Sequence, residues 1–367
     1  MKILFVTPLY PPEIGGPATY AKLLMGALPE QGHQVTLIKF SDVKRFPSGI
    51  RHGFLFLKIL WKSFSHDIIF AQDMFSVGLP SALVALVTRK KFLVRVPGDY
   101  AWEQGCARLG VTDSIDVFQT KKYGWKIELY RTIQKFIVRT ADQVIAPSRY
   151  FADVVNRWVL PKNAPVIAMY NGIEINEITP FQKKDYAVGD VKKIISAGRM
   201  VPWKEFKSLI TLLTRHSSWT LTLIGDGPEK NTLQTYAQKV GVSERVFFKG
   251  SMQQTTLWET VAASDVFVLN SSFESFSYQA VEVMALGVPL ITTDACNMQE
   301  IVKDQESGII IPAKNDELLE RNLVYVLGND QLRKKIGQGG ITQSQMFSKE
   351  KIIETIIKVL EKITTTL

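Results

Sequence analysis

Apolar residues in this chain fall into short unbroken runs, separated by longer stretches in which they recur every three or four positions. In the first half the runs at 2–7, 34–39, 67–71, 92–96, 143–146 and 166–169 read as strands. They do not alternate between apolar and polar, so both faces are expected to be covered, the pattern of a parallel sheet. Residues 18–28, 76–88, 115–139 and 150–158 carry helical periodicity between them. The pattern then restarts. Strands are expected at 192–197, 221–224, 246–248, 266–269 and 289–292, with helices at 204–215, 228–240, 255–262 and 278–285. The fold class is therefore expected to be α/β, with two doubly wound domains. Asn171-Gly172 is a strong turn signal, and the mixed polar stretch after it reads as the linker. This divides the chain at 1–175 and 176–348. A last helix, 349–364, follows a glycine-rich break at Gly337–Gly340. Ile352, Ile353, Ile356, Ile357 and Leu360 give it one apolar face, expected to pack back on the first domain, so that 349–367 belongs with it.

Composition narrows the classes. Apolar residues make up 46% of the 367 positions and charged ones 22%, enough to build cores without staples. Cys106 and Cys296 lie too far apart in sequence for a metal pair or a disulfide framework, which suits a reducing cytoplasm. The first apolar run is too short for a signal peptide. The stretch 74–88 is too short to span a bilayer, so no transmembrane segment is expected. A net charge of +9 favours polyanions: nucleic acid, anionic lipid or phosphorylated ligands. No zinc-finger spacing, basic zipper or aromatic RNA-binding signature accompanies it, so no nucleic-acid partner is expected. Residues 51–64 mix Phe54, Phe56, Leu57, Leu60, Trp61 and Phe64 with Arg51, Lys58 and Lys62. This suggests contact with an anionic membrane surface; a core-packed helix with snorkelling lysines is the other reading. The expected location is the cytoplasm, with peripheral attachment at the inner face of the membrane left open.

The densest chemistry is the stretch from Phe273 to Pro289. Glu274 sits in a strand-to-helix turn, and Ser275, Phe276 and Ser277 are expected to open the helix. Their N–H groups and the positive dipole end suit an anion or sugar hydroxyls. Glu282 interrupts the apolar run Ala280, Val281, Val283, Met284, where a carboxylate is costly unless it is paired or faces a ligand. A capped helix with one solvated Glu is the plainer alternative. After the first strand of the second half come Gly198-Arg199-Met200-Val201-Pro202-Trp203-Lys204. Arg199 offers a planar fork of donors and Lys204 an ammonium, together able to neutralise a diphosphate. The alternative is two surface cations at a helix start. Gly225-Asp226-Gly227-Pro228 allows a sharp strand exit, with Pro228 in the first turn of a helix. Near the N-terminus, Gly15 and Gly16 precede a helix and let backbone amides approach a phosphate. Asp99, after the strand at 92–96, orients an acceptor hydroxyl or simply forms a turn, with Arg95 available to pair with it. Residues 112–130, holding Asp113, Asp116, Gln119, Lys121, Lys122, Tyr123 and Trp125, are either an acceptor-selecting segment or a solvated helix.

Glu274 and Glu282 with the intervening residues resemble the E-x7-E motif of glycosyltransferase family 4. Gly198 to Lys204 resembles that family's G-R-x4-K-G segment, with Glu205 in place of the usual Gly. The Gly-Gly loop, the Asn-Gly linker and G-x-G-P follow in family order. The resemblance implies a GT-B fold: two Rossmann-like domains facing across a cleft, with retention of anomeric configuration. It implies donor binding by Gly15, Gly16, Gly198, Arg199, Lys204, Gly225, Met252, Glu274, Ser275, Phe276, Ser277 and Glu282. The catalytic residues it implies are Glu274, Arg199 and Lys204, with Asp99 as the nearest polar group at the acceptor side. Ser277 stands where Gly is usual. The family's histidine after the 92–96 strand is missing, and His33, His52, His66 and His216 lie elsewhere in the sequence. There is no Asp-x-Asp motif, so no metal and no cofactor are expected. The expected function is transfer of a hexose-type sugar from a UDP- or GDP-sugar to a saccharide or lipid-linked acceptor in cell-surface glycan synthesis. A sugar-nucleotide epimerase on the same scaffold and a catalytically silent sugar-nucleotide binder are the alternatives. A nicotinamide oxidoreductase would need G-x-G-x-x-G after the first strand, and residues 8–18 lack it.

Overall fold

The apolar runs of the first half pair side by side into one sheet. In the computed structural model, which describes residues 1–13, 15–47, 50–158, 165–187 and 189–365, the strands are β1 (Lys2–Thr7), β2 (Gln34–Lys39), β3 (Ile68–Ala71), β4 (Lys91–Arg95), β5 (Gln143–Ala146) and β6 (Ile167–Ala168). Their order is β2-β1-β3-β4-β5-β6, and every pairing is parallel. β3 and β5 are buried at every position, as strands covered on both faces must be. The second half builds a second parallel sheet from β7 (Lys192–Ala197), β8 (Trp219–Ile224), β9 (Val246–Gly250), β10 (Val266–Leu269), β11 (Leu290–Thr293) and β12 (Ile309–Ile311), in the order β12-β11-β10-β7-β8-β9. Counted within its own unit, that is the 3-2-1-4-5-6 order of a Rossmann sheet, and its direction reverses between β7 and β10. Ligands of such sheets bind outside the carboxyl ends of the strands at that reversal.

The chain divides into two units. One comprises Met1–Gly172 with the returning segment Lys349–Leu367; the other is Ile173–Ser348. In the first unit the Lys349–Thr365 helix lays Ile353, Ile356, Val359, Leu360 and Ile363 against Leu23, Leu24 and Ala27 of the Gly16–Glu30 helix. Gly172 makes room for it, since a Cβ there would lie 2.9 Å from Ile352 Cγ1.

Several elements differ from the sequence expectation. The helix expected at 115–139 is two helices, Ile115–Thr120 and Trp125–Thr140. Gly124 caps the second, and Asp113 holds the break by accepting from Lys121 Nζ at 2.8 Å and Tyr123 OH at 2.7 Å. A helix at Tyr100–Arg108 was not expected, nor were β12 and the helix Asp316–Leu327. Gly337–Gly340 is no break; it lies inside the helix Asp330–Ser344. These glycines permit close approach rather than a turn: a Cβ on Gly337 would sit 2.3 Å from the Gly287 carbonyl oxygen, and one on Gly339 2.0 Å from that of Glu306. Pro228 precedes its helix, which starts at Lys230. Ser275, Phe276 and Ser277 precede theirs as well.

Candidate active site

The second unit gathers its charged motifs at the reversal point. Gly198 and Arg199 leave the carboxyl end of β7, and residues 270–277 leave that of its neighbour β10. Ser196 Oγ donates to the Val268 carbonyl at 2.6 Å and staples the two strands just before they end. Beyond them the loops interlock. The Ser272 amide donates to the Trp203 carbonyl at 2.7 Å, which carries the short turn Pro202–Lys204 against the loop after β10. Lys204 Nζ then meets Glu274 Oε1 at 2.5 Å. Both side chains are about nine-tenths buried, at 12% and 10% exposure. An ion pair so shielded is strongly directional, and losing either partner leaves a buried charge uncompensated. Arg199 beside it is exposed.

Glycine is required where these loops touch. Gly225 has φ 127°, and a Cβ there would be 2.0 Å from the Gly198 carbonyl oxygen; one on Gly227 would be 2.4 Å from that of Met200. The Met200 amide in turn donates to the Asp226 carbonyl at 2.9 Å. G-x-G-P is thus the floor on which the Gly198–Lys204 loop rests. Glu205 adopts the left-handed conformation, φ 50°, which accounts for glycine as the family's usual residue there. Burial pushes its carboxyl above the usual range. Ser272 Oγ lies 3.5 Å from Glu205 Oε1, so this carboxyl is tied to the loop after β10.

Ser277 caps the Tyr278–Ala285 helix, its Oγ accepting from the Ala280 amide at 3.2 Å. A serine at the position where the family has glycine therefore has a local task. Glu282, on the same helix, is 8% exposed. Gln254 Nε2 donates to its Oε1 at 2.9 Å. Trp258 lies close enough to favour the charged form, although its Nε1 makes no hydrogen bond. Burial dominates and pushes the carboxyl up to about 7. Glu282 lines one small cavity with Ala197, Trp258 and Gln279, and Gln279 Oε1 lies within 3.5 Å of where a Gly198 Cβ would be. The cavity therefore reaches the end of β7. Gln254, Trp258, Ser272 and Gln279 went unassigned in the sequence. All but Gln279 lie far from their partners along the chain, and no local pattern announces them. Met252 lies near the Gln254–Ala262 helix that carries Gln254 and Trp258, with Thr260 Oγ1 4.0 Å from its sulfur. Phe276 packs on Tyr278 and Phe347.

In the first unit, Gly15 precedes the Gly16–Glu30 helix, whose first turn has no side-chain cap. Pro17 has no N–H, and the Ala18 and Thr19 amides donate to the Gly15 carbonyl at 2.9 and 3.1 Å. Asp99 has a structural task. It caps the Tyr100–Arg108 helix through the Trp102 amide at 3.1 Å, and accepts from Gln119 at 2.8 Å and Gln134 at 3.2 Å. It is 1% exposed. Three donors engage its two oxygens, and it anchors the start of that helix. Arg95 does not pair with it. Arg95 donates to Asn171 Oδ1 and lies over the Tyr20 ring, 4.3 Å from its centre. Among the acceptor-segment candidates, Asp113 accepts from Lys121 and Tyr123, Asp116 takes Tyr150 and Arg157, and Trp125 is exposed. Among the described residues no cluster of three or more His, Cys, Asp or Glu is placed to hold a metal, and no helix is long and apolar enough to cross a membrane.

Two Rossmann-like α/β units, the second with a buried Lys–Glu pair at its switch point, define a glycosyltransferase scaffold of the GT-B kind. Family models agree: residues 14–177 match "Glycosyltransferase Family 4" and residues 178–343 match "Glycosyl transferases group 1". The chain belongs to the family 4, group 1 glycosyltransferases. A lipopolysaccharide core biosynthesis glycosyltransferase of Rhizobium meliloti is 32% identical over 47% of this chain and half of its own length. Among solved structures, the fold resembles sucrose-phosphate synthase from Thermosynechococcus elongatus, with TM-score 0.80, 18% identity and complete coverage of both chains. It also resembles Anabaena HepE in complex with UDP and glucose, with TM-score 0.78, 18% identity, and 99% of this chain and all of that one covered.

Proposed function

We propose that this chain transfers a hexose-type sugar, with retention of configuration, from a UDP- or GDP-sugar to a saccharide or lipid-linked acceptor in cell-surface glycan synthesis. The observation that carries the reading is the shielded Lys204–Glu274 pair at the β7/β10 switch point. When the donor bond breaks, negative charge collects on the leaving diphosphate and positive charge on the sugar carbon. Lys204 and Arg199 face the first; Glu274 serves the second or holds a sugar hydroxyl. In the ion pair each residue keeps the other in place. Glu282 accepts the ribose hydroxyls, with Gln254 orienting its carboxyl. The cationic pair supplies the charge that a divalent metal supplies elsewhere, so no metal takes part. Acceptor recognition belongs to the first unit, where the segment 113–123 is braced by its own bonds. A UDP-sugar is favoured by the likeness to a protein solved with UDP and glucose.

A screen of UDP-, GDP- and ADP-sugars by thermal shift tests the reading, because a ligand bound only to the native state raises its apparent stability. Nucleotide release is then followed with and without acceptor. Acceptor-dependent release supports transfer. Release without acceptor favours the epimerase, binding without release a silent binder, and no shift with any nucleotide sugar overturns the reading.

A further inference from the structure

We propose that the adjacent helices Arg51–Ser63 and Gly78–Thr88 form a surface that docks on an anionic lipid bilayer. The Arg51–Ser63 helix is apolar on two opposite sides. Leu55, Ile59 and Ser63, spaced four apart, are buried. At about 100° per residue, Ile50, Phe54, Leu57, Trp61 and Phe64 fall within about 80° of arc on the reverse side. All five are exposed, Trp61 by 72% and Phe64 by 69%. The Gly78–Thr88 helix repeats the arrangement: Ser81, Val84 and Ala85 are buried, whereas Leu83, Leu86 and Val87 are exposed. The two helices pack side by side, which brings the exposed residues into one neighbourhood. Single exposed leucines need no explanation, but a stripe of large side chains in helical register does.

Charge selects the occupant. Residues 43–66 contain Lys44, Arg45, Arg51, Lys58 and Lys62, and residues 74–91 contain Arg89, Lys90 and Lys91; neither stretch has a single Asp or Glu. The chain as a whole has 35 acidic residues to 44 basic, so their absence here is local. Three of the cations meet acids from outside these stretches, Lys58 with Asp42, Lys44 with Glu13 and Lys91 with Asp142, which leaves Arg45, Arg51, Lys62, Arg89 and Lys90 without such a partner among the ion pairs of the described residues. Lys62 lies over the Trp61 ring, 4.8 Å from its centre. Exposed aromatic and aliphatic side chains bordered by lysine and arginine match a headgroup layer, the rings entering the acyl boundary and the cations meeting lipid phosphates. A protein partner or a second copy of this chain would bury the same apolar stripe but gives no reason for the excess of cations over acids on these two segments.

The inference stands on exposure and charge and holds whether or not the chain transfers sugar. The full chain is sedimented with vesicles of phosphatidylcholine alone and with vesicles of equal parts phosphatidylcholine and phosphatidylglycerol. Strong binding to the anionic vesicles, weakened by salt, is expected. Leu57→Ser with Trp61→Ser and Phe64→Ser should cut it at least about tenfold, while circular dichroism and the thermal transition stay unchanged. Arg45→Gln with Lys62→Gln and Arg89→Gln should flatten the salt dependence. Wild-type protein that ignores anionic vesicles, or a triple serine variant that binds as well as wild type, overturns the proposal. So does a self-associating wild type that the serine variant makes monomeric, which would assign the face to a second copy.

Discussion

Replacing Glu282 by glutamine isolates the cost of holding a carboxylate in an apolar helix. The glutamine keeps the shape and still accepts from Gln254. In the wild type, burial raises the carboxyl from 4.5 to about 7. Its folded-state pKa exceeds its unfolded one, so between those values the native state binds the extra proton. Raising the pH through that window therefore destabilises the fold, and the loss levels off above about 7. Converted at about 1.4 kcal/mol per pKa unit, the full penalty approaches about 3 kcal/mol, of which about 2 kcal/mol accrues between roughly pH 5.5 and 8. Glu282→Gln lacks this term. Its advantage over wild type should grow by about 2 kcal/mol across that interval, or roughly 4–8 °C in the melting temperature of a unit this size. Calorimetry at the two pH values reads it directly. A variant whose offset from wild type is the same at both would refute a buried, protonated Glu282. The same logic predicts that a nucleotide sugar whose ribose hydroxyls donate to the carboxylate releases a proton on binding. Titration calorimetry near pH 6.5, in buffers of different ionisation enthalpy, detects that release.

Glu274→Ala is expected to lower transfer by about 10²–10³-fold while keeping nucleotide affinity, whereas Glu282→Ala should chiefly weaken donor binding; unchanged activity in both would sink the site assignment. Lys204→Met leaves Glu274 buried without its partner, so it should lower stability by about 3 kcal/mol as well as activity, and denaturant melts separate the two losses. Gly225→Ala drives a Cβ into the Gly198 carbonyl and should cost at least about 2 kcal/mol. Transfer should persist in excess chelator, and activity abolished by chelation and restored by a divalent ion would overturn the metal-free mechanism.

The strands were legible because both faces of each sheet are covered, so an unbroken apolar run has one explanation. β1, β2, β5, β7 and β10 and the Tyr278–Ala285 helix fall where the runs place them. The site was legible in part. Gly198 and Glu274 lie far apart in the chain, and only the reversal of strand order between β7 and β10 brings them together; a doubly wound pattern anticipates that. The failures have local causes. Asp99 read as a turn because a cap and a turn use the same side-chain acceptor. The glycines of 337–340 read as a break because their use, tight contact with Gly287 and Glu306, depends on residues far away in sequence. Gln254 and Trp258 carried no signal at all.

The return of the chain to its first unit sets an order of events during synthesis. Residues 173–348 form a continuous stretch and can close their sheet once the ribosome has released them. The earlier half can close its sheet, but Leu23, Leu24 and Ala27 gain the cover of Ile353 to Ile363 only when the last helix arrives. The part made first is thus completed last, and nascent chains halted before residue 349 should expose that greasy seam and recruit chaperones.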